Sequence, residues 1–281
     1  MTGGRKQSML CPGCGKLIST SEPRCPYCGI ARPASLGNRL LGSLGLGDSE
    51  RLIRAVIYAN IGMYLISLLL SPNRIGLSPN PLTFLSPNDQ SLFLLGMTGT
   101  VPIERFGRWW SLLAANYLHG GVLHIFFNMA AFKQLAGLAA REYGPYRLMV
   151  IYTVSGILGF LVSYLARIPF TIGASAAVCG LIGAMLYYGK SRGGVYGHTI
   201  YRQVGSWAIG LVIFGLLIPG INNWGHAGGG IAGALTGFAM GYRERTAERP
   251  IHRLLAGICT LATLAVLLYA VVSAGFYRVA G

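Results

Sequence analysis

The sequence predicts an all-α polytopic membrane protein, preceded by a short cysteine-containing module. Charged residues make up only 11% of the 281 residues and hydrophobic residues 53%, whereas about a quarter of a typical soluble domain is charged. Seven apolar stretches approach the roughly 20 residues that a helix needs to cross a bilayer. Two Cys-x-x-Cys pairs stand ahead of the first stretch.

Short polar or Gly/Pro-marked breaks separate the seven predicted membrane helices. No apolar stretch precedes residue 52, and the first one is not followed by a small-residue cleavage site. We therefore expect the first helix to stay in the mature protein. The predicted helices lie near residues 52–70, 122–140, 146–166, 173–189, 204–221, 225–242 and 252–273.

The net charge of +15 is distributed unevenly along the chain. Most Lys and Arg residues precede the first helix or lie between helices two and three, four and five, or six and seven. The positive-inside rule then predicts a cytoplasmic N-terminus and a C-terminus outside. Topology and contact with anionic lipid account for this charge, so we expect no nucleic-acid partner. The opposite side receives only Arg74, Arg105, Arg108, Arg167 and Arg278.

The cysteine pairs Cys11/Cys14 and Cys25/Cys28 have the spacing of zinc knuckles. Each tight turn aims two thiolates at one tetrahedral ion, so the four cysteines predict a structural zinc site with no open position for catalysis. Two disulfides are the alternative, but the predicted topology leaves these cysteines in a reducing cytosol, which favours metal. So small a ribbon has too little core to fold without zinc.

The chain divides into four predicted regions. Residues 1–32 form the zinc ribbon, and residues 33–50 form a linker rich in Gly, Ser and Leu. Residues 51–242 form the main membrane domain, and residues 243–281 contain a cytoplasmic loop, the seventh helix and a short tail. We expect the ribbon to offer a docking or regulatory surface to a cytoplasmic protein partner.

Ionisable groups inside a bilayer are costly and tend to mark function. All eight carboxylates fall in predicted loops or at helix ends. An intramembrane aspartyl protease and a carboxylate-based proton relay are therefore not expected. The sequence also contains no His-Glu-x-x-His zinc protease motif.

Polar residues gather instead at the outer ends of the predicted helices. His119, His124 and His226 map to the outer ends of helices two and six, and Ser175 opens helix four at the same depth. Asn128 shares a helix face with His124 because the two are four residues apart. A glycine stripe in helix six faces small residues in helix four, which predicts close packing of the two helices. The stripe comprises Gly229, Gly233, Gly237 and Gly241.

These residues are the parts of an acyl-transfer site. Ser175 would be the nucleophile, His226 its general base and later acid, and His124 and Asn128 the side-chain donors to the oxyanion. With no buried carboxylate, the base would work as a dyad. Taken singly, a Ser can cap a helix, an Asn can join two helices and a His can anchor at the interface. A transporter in which His119, His124 and His226 hold a metal ion or relay protons is another alternative.

Residues 52–242 resemble the rhomboid family of intramembrane serine proteases. Three motifs carry the resemblance: the His-x4-His-x3-Asn block from Trp109 to Asn128, the Gly-x-Ser motif at 173–175 and the histidine motif at 224–229. The family usually has Gly at position 176 and Tyr at position 179. Here Ala176 brings an extra methyl group to the start of helix four, and Cys179 cannot stack on an imidazole as a tyrosine would.

The resemblance implies a six-helix rhomboid-like bundle plus one C-terminal transmembrane helix. It also implies a water-filled cavity open outward, in which Ser175 and His226 cleave single-span membrane proteins with His124 and Asn128 in the roles given above. No cofactor is expected for catalysis. The runner-up is a catalytically inactive homologue that binds membrane clients. Such forms usually lack the Ser or the His, and this chain has both.

Overall fold

A computed structural model describes residues 8–12, 16–27, 30–43, 47–71, 76–77, 84–218 and 220–280. Within these ranges the chain consists of a small N-terminal hairpin module and a bundle of seven long helices. Five of the long helices are long and apolar enough to cross a membrane, which identifies a multi-pass integral membrane protein. These five are Ser49–Leu69, Val122–Tyr143, Pro145–Leu165, Gly194–Leu217 and Pro250–Arg278.

The N-terminal module is built on one two-stranded antiparallel sheet. Strand β1 (Ser8–Leu10) pairs with β2 (Leu17–Ser19), and Cys11 directly follows β1. A short helix, α1 (Leu36–Ser43), follows. Asp48 then caps the first long helix, α2 (Ser49–Leu69), by accepting hydrogen bonds from two main-chain N–H groups of its first turn.

A long connection leads from α2 to the next membrane helix. It contains a second antiparallel pair of strands and three short helices, and it ends in a 3₁₀ turn at Ala115–Tyr117. We call residues 84–121 the outer loop. Strand β3 (Gly76–Leu77) lies before the outer loop. The elements of the outer loop are β4 (Phe84–Ser86), α3 (Asp89–Leu94), α4 (Thr100–Phe106) and α5 (Ser111–Ala114).

Six further helices complete the bundle, and all seven predicted helices are present in the described residues. The fifth was predicted too short. It begins at Gly194 rather than near residue 204, because Gly193 and Gly194 make the preceding turn with φ values of 66° and 64°. His198, predicted in a loop, therefore lies on this helix. The six are α6 (Val122–Tyr143), α7 (Pro145–Leu165), α8 (Ser175–Arg192), α9 (Gly194–Leu217), α10 (Asn223–Met240) and α11 (Pro250–Ala280).

Helix α8 is the centre of the bundle and contacts α6, α7, α9 and α10. The predicted close packing of α8 and α10 is confirmed. A Cβ atom on Gly229 would overlap with the Ala176 carbonyl oxygen, and one on Gly233 would overlap with the Gly180 backbone. Gly241 does not belong to this contact, because it follows the last residue of α10 with φ 66° and a Cβ atom there would meet Thr246 rather than α8.

Helices α8 and α10 are not among the five candidate spans. Each has 18 residues, which at 1.5 Å per residue gives a length of about 27 Å, slightly less than the roughly 30 Å of bilayer hydrocarbon. Their many small residues and the basic end of α8, at Lys190 and Arg192, also lower their apolarity. The central helix can be less apolar because protein, not lipid, surrounds most of it.

A buried arginine holds the bundle together at the end opposite Ser175. Arg147, fully buried in the first turn of α7, donates hydrogen bonds to the main-chain oxygens of Tyr143, Thr246 and Ala247 and to His252 Nδ1, at 2.8 to 3.3 Å. These contacts satisfy the buried cation and attach α11 to α7. His252, the first residue of the predicted seventh helix, lies in the first turn of α11.

The basic segments between α6 and α7, between α8 and α9, and between α10 and α11 meet at this same end. Arg192 at the end of α8 forms an ion pair with Glu244, with an N–O distance of 2.8 Å. The Tyr196 hydroxyl at the start of α9 donates to Glu142 at 2.7 Å. We call this the inner end and the opposite one the outer end. That the inner end faces the cytoplasm stays a prediction.

Candidate active site

Ser175 and His226 meet at the outer end of the bundle. Ser175 is the first residue of α8, and His226 lies in the first turn of α10. The distance between Ser175 Oγ and His226 Nε2 is 2.9 Å. Both residues are partly exposed, so the hydrogen-bonded pair is accessible to a substrate.

Asn222 fixes the start of α10 beside this pair. As the N-cap residue, its Oδ1 accepts the Gly225 N–H at 3.0 Å. Its Nδ2 donates to Ser163 Oγ at 2.7 Å and to Thr171 Oγ1 at 2.9 Å. One side chain thus joins the turn before His226 to the end of α7 and to the segment before Ser175. Sequence reasoning missed Asn222, and only its position as an N-cap candidate could have indicated it.

The segment before Ser175 is shaped by Gly173. Its φ is +123°, a conformation that favours glycine. Its N–H donates to the Ala115 carbonyl oxygen at 2.9 Å, which attaches the segment to the outer loop. A Cβ atom here would lie 2.8 Å from His124 Nε2 and 3.6 Å from Ser175 Oγ. The glycine of the Gly-x-Ser motif therefore leaves room for His124.

The hydrogen bonds of His124 indicate which ring nitrogen carries its proton. The Gly120 N–H donates to His124 Nδ1 at 3.3 Å, so Nδ1 is the acceptor and a neutral ring carries its hydrogen on Nε2. Nε2 is the atom that lies against Gly173. His124 therefore directs an N–H donor at the segment that begins with the nucleophile motif.

Asn128 lies one helical turn below His124 and is buried. Its Nδ2 donates one hydrogen bond to the His124 carbonyl oxygen at 2.9 Å. A carboxamide nitrogen has two hydrogens, so a second N–H remains. The two residues thus sit together on one face of α6, as their spacing predicted.

His119 takes no part in this hydrogen bonding. It is fully buried, its ring centroid lies 5.1 Å from that of His124, and neither ring nitrogen has a partner within the described residues. Burial, and secondarily His124, lowers the pKa of His119 well below its ordinary value, which favours a neutral ring. The described part of the chain contains no group of three or more His, Cys, Asp or Glu side chains that could hold a metal ion. The three-histidine metal site thus has no geometric support.

The methyl group of Ala176 does not point at the site. It packs with Leu112 and Phe160 in a small apolar cluster and lies against Gly159 of α7, where a Cβ atom would come within 2.9 Å of it. The absence of a side chain at Gly159 therefore accommodates the extra methyl. Cys179 is buried in α8.

Only half of the predicted zinc site can be described, because Cys14 and Cys28 lie outside the described residues. Cys11 and Cys25 are both buried in one small core. Each makes the same backbone contact, since Cys11 N–H donates to Lys16 O at 2.8 Å and Cys25 N–H to Ile30 O at 2.9 Å. Two equivalent backbone hydrogen bonds beside a shared core fit a ribbon whose cysteines share one ion, and the zinc site stays a prediction.

The region that contains the Ser175–His226 pair matches a known family model. Residues 106–243 match the rhomboid domain. The match contains the four predicted catalytic residues and covers α6 to α10, while the zinc ribbon, α2 and α11 lie outside it. It supports the rhomboid family for this chain, as the sequence motifs predicted.

Three curated relatives agree with this match. The chain is 30% identical over 207 residues to RHOMBOID-like protein 4 of Arabidopsis thaliana, which covers 67% of this chain and 52% of that protein. It is 32% identical over 188 residues to Rhomboid protease GluP of Bacillus subtilis (strain 168), covering 66% of this chain and 36% of that protein. It is 32% identical over 177 residues to Inactive RHOMBOID-like protein 8 of Arabidopsis thaliana, covering 62% and 50%.

The aligned region is thus only part of this chain and only part of each relative. The chain spans about half the length of the Arabidopsis relatives and about a third of GluP. The similarity to these relatives supports an intramembrane protease. One of the three is named inactive, so the name of a relative does not by itself give the activity.

Proposed function

We propose that this chain is an intramembrane serine endopeptidase of the rhomboid type, with Ser175 and His226 as its catalytic dyad. The observation that carries the proposal is the 2.9 Å hydrogen bond between Ser175 Oγ and His226 Nε2 within a matched rhomboid domain. Nucleophilic catalysis by serine requires such a base within hydrogen-bonding reach.

The reaction follows from these contacts. Ser175 Oγ attacks the carbonyl carbon of the scissile peptide as His226 Nε2 takes the hydroxyl proton. The tetrahedral intermediate then collapses, the C–N bond breaks, and His226 gives its proton to the leaving amine. Water attacks the acyl-enzyme, His226 removes a proton from it and returns that proton to Ser175 Oγ as the acid leaves.

The oxyanion of the intermediate needs donors on the side of α6. His124 Nε2–H and the second N–H of Asn128 are the groups we assign to this role. Such donors stabilise the charge that develops in the transition state, and they are most effective in a site of low dielectric. The tautomer deduced from the Gly120 contact supports the role of His124.

Single-span membrane proteins are the proposed substrates, and α9 marks the side from which they enter. The inner half of α9 packs closely on α8 at Gly189 and Gly197. Its outer half exposes one apolar side chain after another, and near the site it is attached to α10 by the Asn223 Nδ2 hydrogen bond to Gly215 O at 2.8 Å. A helix held this lightly allows a substrate helix to approach from the bilayer. The exposed residues are Ile209, Val212, Ile213, Phe214, Leu216 and Leu217.

The proposal is tested with purified protein and a panel of single-span substrates. Ser175→Ala and His226→Ala should each reduce cleavage to background, and a serine-directed mechanism-based inhibitor should label Ser175 only. Ser191→Ala is the matched control, because Ser191 lies exposed at the inner end of the same helix, and it should cleave normally. Wild-type cleavage by a folded Ser175→Ala protein would rule out the mechanism.

An inactive client-binding homologue is the second candidate, and the relative named inactive is the observation in its favour. The two candidates differ in one readout. A binder should retain clients equally well in the wild-type protein and in the Ser175→Ala variant and should release no fragment from either. A protease should retain uncleaved substrate only after the Ser175→Ala substitution.

We also propose that the ribbon binds one structural zinc ion through Cys11, Cys14, Cys25 and Cys28. The N-terminus and this ribbon would lie in the cytoplasm, across the membrane from the dyad. A cytoplasmic protein partner would dock there. The matching backbone hydrogen bonds of Cys11 and Cys25 support the metal site, and the uneven charge supports the orientation.

A further inference from the structure

A cavity lies at the outer end, between the outer loop and the seventh helix. Its volume is about 370 Å³, and part of α11 lies along one side of it. None of the four proposed catalytic residues lines this cavity, so it is separate from the proposed catalytic site. Phe106, Arg108 and Trp110 line the side formed by the outer loop, and Tyr269, Ser273 and Tyr277 line the side formed by α11.

Arg108 places a cation in this cavity without a carboxylate beside it. Its guanidinium lies over the Phe93 ring, 4.2 Å from the centroid, and donates to the Phe93 carbonyl oxygen at 2.7 Å. All eight Asp and Glu residues belong to the described part of the chain, and those that form ion pairs there pair with arginines other than Arg108. Burial lowers the pKa of Arg108, as expected for a cation that has lost part of its water.

The opposite wall offers hydroxyl groups at regular spacing. Tyr269, Ser273 and Tyr277 are four residues apart, so their side chains lie on one face of α11. Trp110 packs edge-on against Tyr269, with ring centroids 5.2 Å apart, and so connects the two walls. The Ser273 hydroxyl donates to the Ala270 carbonyl oxygen at 3.1 Å and can rotate toward the cavity instead. A guanidinium opposite several such hydroxyl groups suits a phosphate group.

The surroundings of the cavity favour a lipid as the source of that phosphate. Tyr269 and Tyr277, which line it, are 56% and 58% exposed. Exposed aromatic side chains at one end of a membrane bundle typically lie at the level of the lipid headgroups. A soluble anion would have to reach a cation that lies between these aromatic residues, whereas a phospholipid places its phosphate at this depth.

We propose that this cavity binds the phosphate of a phospholipid headgroup from the outer leaflet, with Arg108 as the counter-charge. The bound phosphate would join the outer loop to α11 and so attach the seventh helix to the rest of the domain. This inference concerns lipid binding only, and it does not depend on the proposed protease activity.

Native mass spectrometry of the full chain, purified in detergent and stripped of lipid, tests the site. The probes are short-chain phosphatidylglycerol, diacylglycerol of the same chain length, and inorganic phosphate. Arg108→Gln should weaken phosphatidylglycerol binding about tenfold or more, the effect of losing one charge-assisted contact. Arg105→Gln, an identical change of charge in the same loop but outside the cavity, should bind as the wild-type protein does.

Each other outcome has a definite meaning. Equal binding of diacylglycerol, or equal binding by Arg108→Gln and wild-type protein, would overturn the proposal. If inorganic phosphate binds as tightly as the lipid, the site takes a soluble anion and the lipid proposal is wrong. If Arg108→Gln does not fold, Ser273→Ala and Tyr277→Phe decide, since both should weaken lipid binding severalfold while Arg105→Gln does not.

Discussion

At the scale of single residues, the site depends on which groups can donate and which can accept. The Gly120 N–H makes His124 Nδ1 an acceptor, which leaves Nε2–H facing Gly173. Asn128 uses one N–H on its own helix and keeps the second. Two donors on one face of α6, beside a serine that reaches a histidine base, form the minimum set for a serine dyad that lacks a carboxylate.

Replacing Asn128 should test the oxyanion role directly. Asn128→Ala removes the remaining N–H, so we expect the turnover number to fall about 10²-fold, the effect of losing one such donor. Substrate KM should change little, because the bound substrate does not yet carry the oxyanion. Steady-state kinetics in detergent measures both, and Gln134→Ala, which removes an exposed carboxamide from the same helix, should have no effect. An unchanged turnover number would remove Asn128 from the site.

Asn222 should affect activity through His226 rather than through the substrate. Asn222→Ala removes a helix cap, which should lower the free energy of unfolding by about 1 kcal/mol, and it also removes the contacts to Ser163 and Thr171. Asn222→Ser keeps a capping oxygen but is too short for both contacts, so it should recover stability without recovering the turnover number. Thermal unfolding and kinetics of the two variants separate these effects, and full activity in Asn222→Ser would show that the contacts do not position His226.

Sequence spacing was sufficient to predict the pairing of Ser175 with His226 but not the role of Asn222. The pairing of Ser175 with His226 followed from motifs at helix starts and from a glycine stripe, both of which are local patterns. The role of Asn222 depends on Ser163 and Thr171, which are distant from it in sequence. Ser163 lies near the end of a helix, and Thr171 lies in a loop. No periodicity connects such positions, so only the folded chain reveals the contact.

At the scale of the helices, small residues set the distance between α8 and α10. Their alignment was predicted from the four-residue repeat, because only one helix face carries it. The start of α9 was predicted wrongly, because His198 and Arg202 were taken as signs of a loop. Polar residues at the inner end of a membrane helix are compatible with the helix, and the turn is made by Gly193 and Gly194 alone.

Gly230 and Gly233 of α10, which are three residues apart, offer a matched test of this packing. A Cβ atom on Gly233 would overlap with the backbone at Gly180, whereas the nearest atom to a Cβ on Gly230 is the Cys179 carbonyl oxygen at 3.7 Å. Gly233→Ala should therefore displace α10 from α8 and reduce cleavage to near background, and Gly230→Ala should remain active. Alanine favours a helix over glycine by about 1 kcal/mol, so a loss in Gly233→Ala cannot come from helix propensity. Equal activity of the two variants would contradict the packing.

At the scale of the whole molecule, the ribbon and the membrane domain are predicted to be separable. A chain that begins at residue 50 should lose its metal but keep cleavage of a generic substrate in detergent, because the linker shows no sign of rigid coupling and the four thiolates close the shell of the ion. Metal content and cleavage rate are measured on the same preparation. Loss of cleavage in a well-folded truncated protein would show that the ribbon acts on catalysis itself.

If the ribbon recruits a partner or substrates, the same truncation should impair cleavage of the native substrate in cells while the generic assay stays normal.

Composition and charge were enough to predict the membrane class and the seven helices. The elements of the outer loop were not predicted, because short helices held by contacts such as the Thr98–Thr171 bridge leave no periodic pattern in the sequence.

The length of α8 has a consequence for the products of cleavage. Ser175 begins a helix of 18 residues, so it lies about 27 Å from the inner end, nearly the full thickness of the hydrocarbon. A peptide bond cut at this depth divides a substrate helix unequally. The inner product keeps almost a complete membrane-crossing segment and stays anchored, while the outer product retains too few apolar residues to remain and is shed from the outer face. Cleavage by this chain would therefore release ectodomains rather than soluble inner fragments.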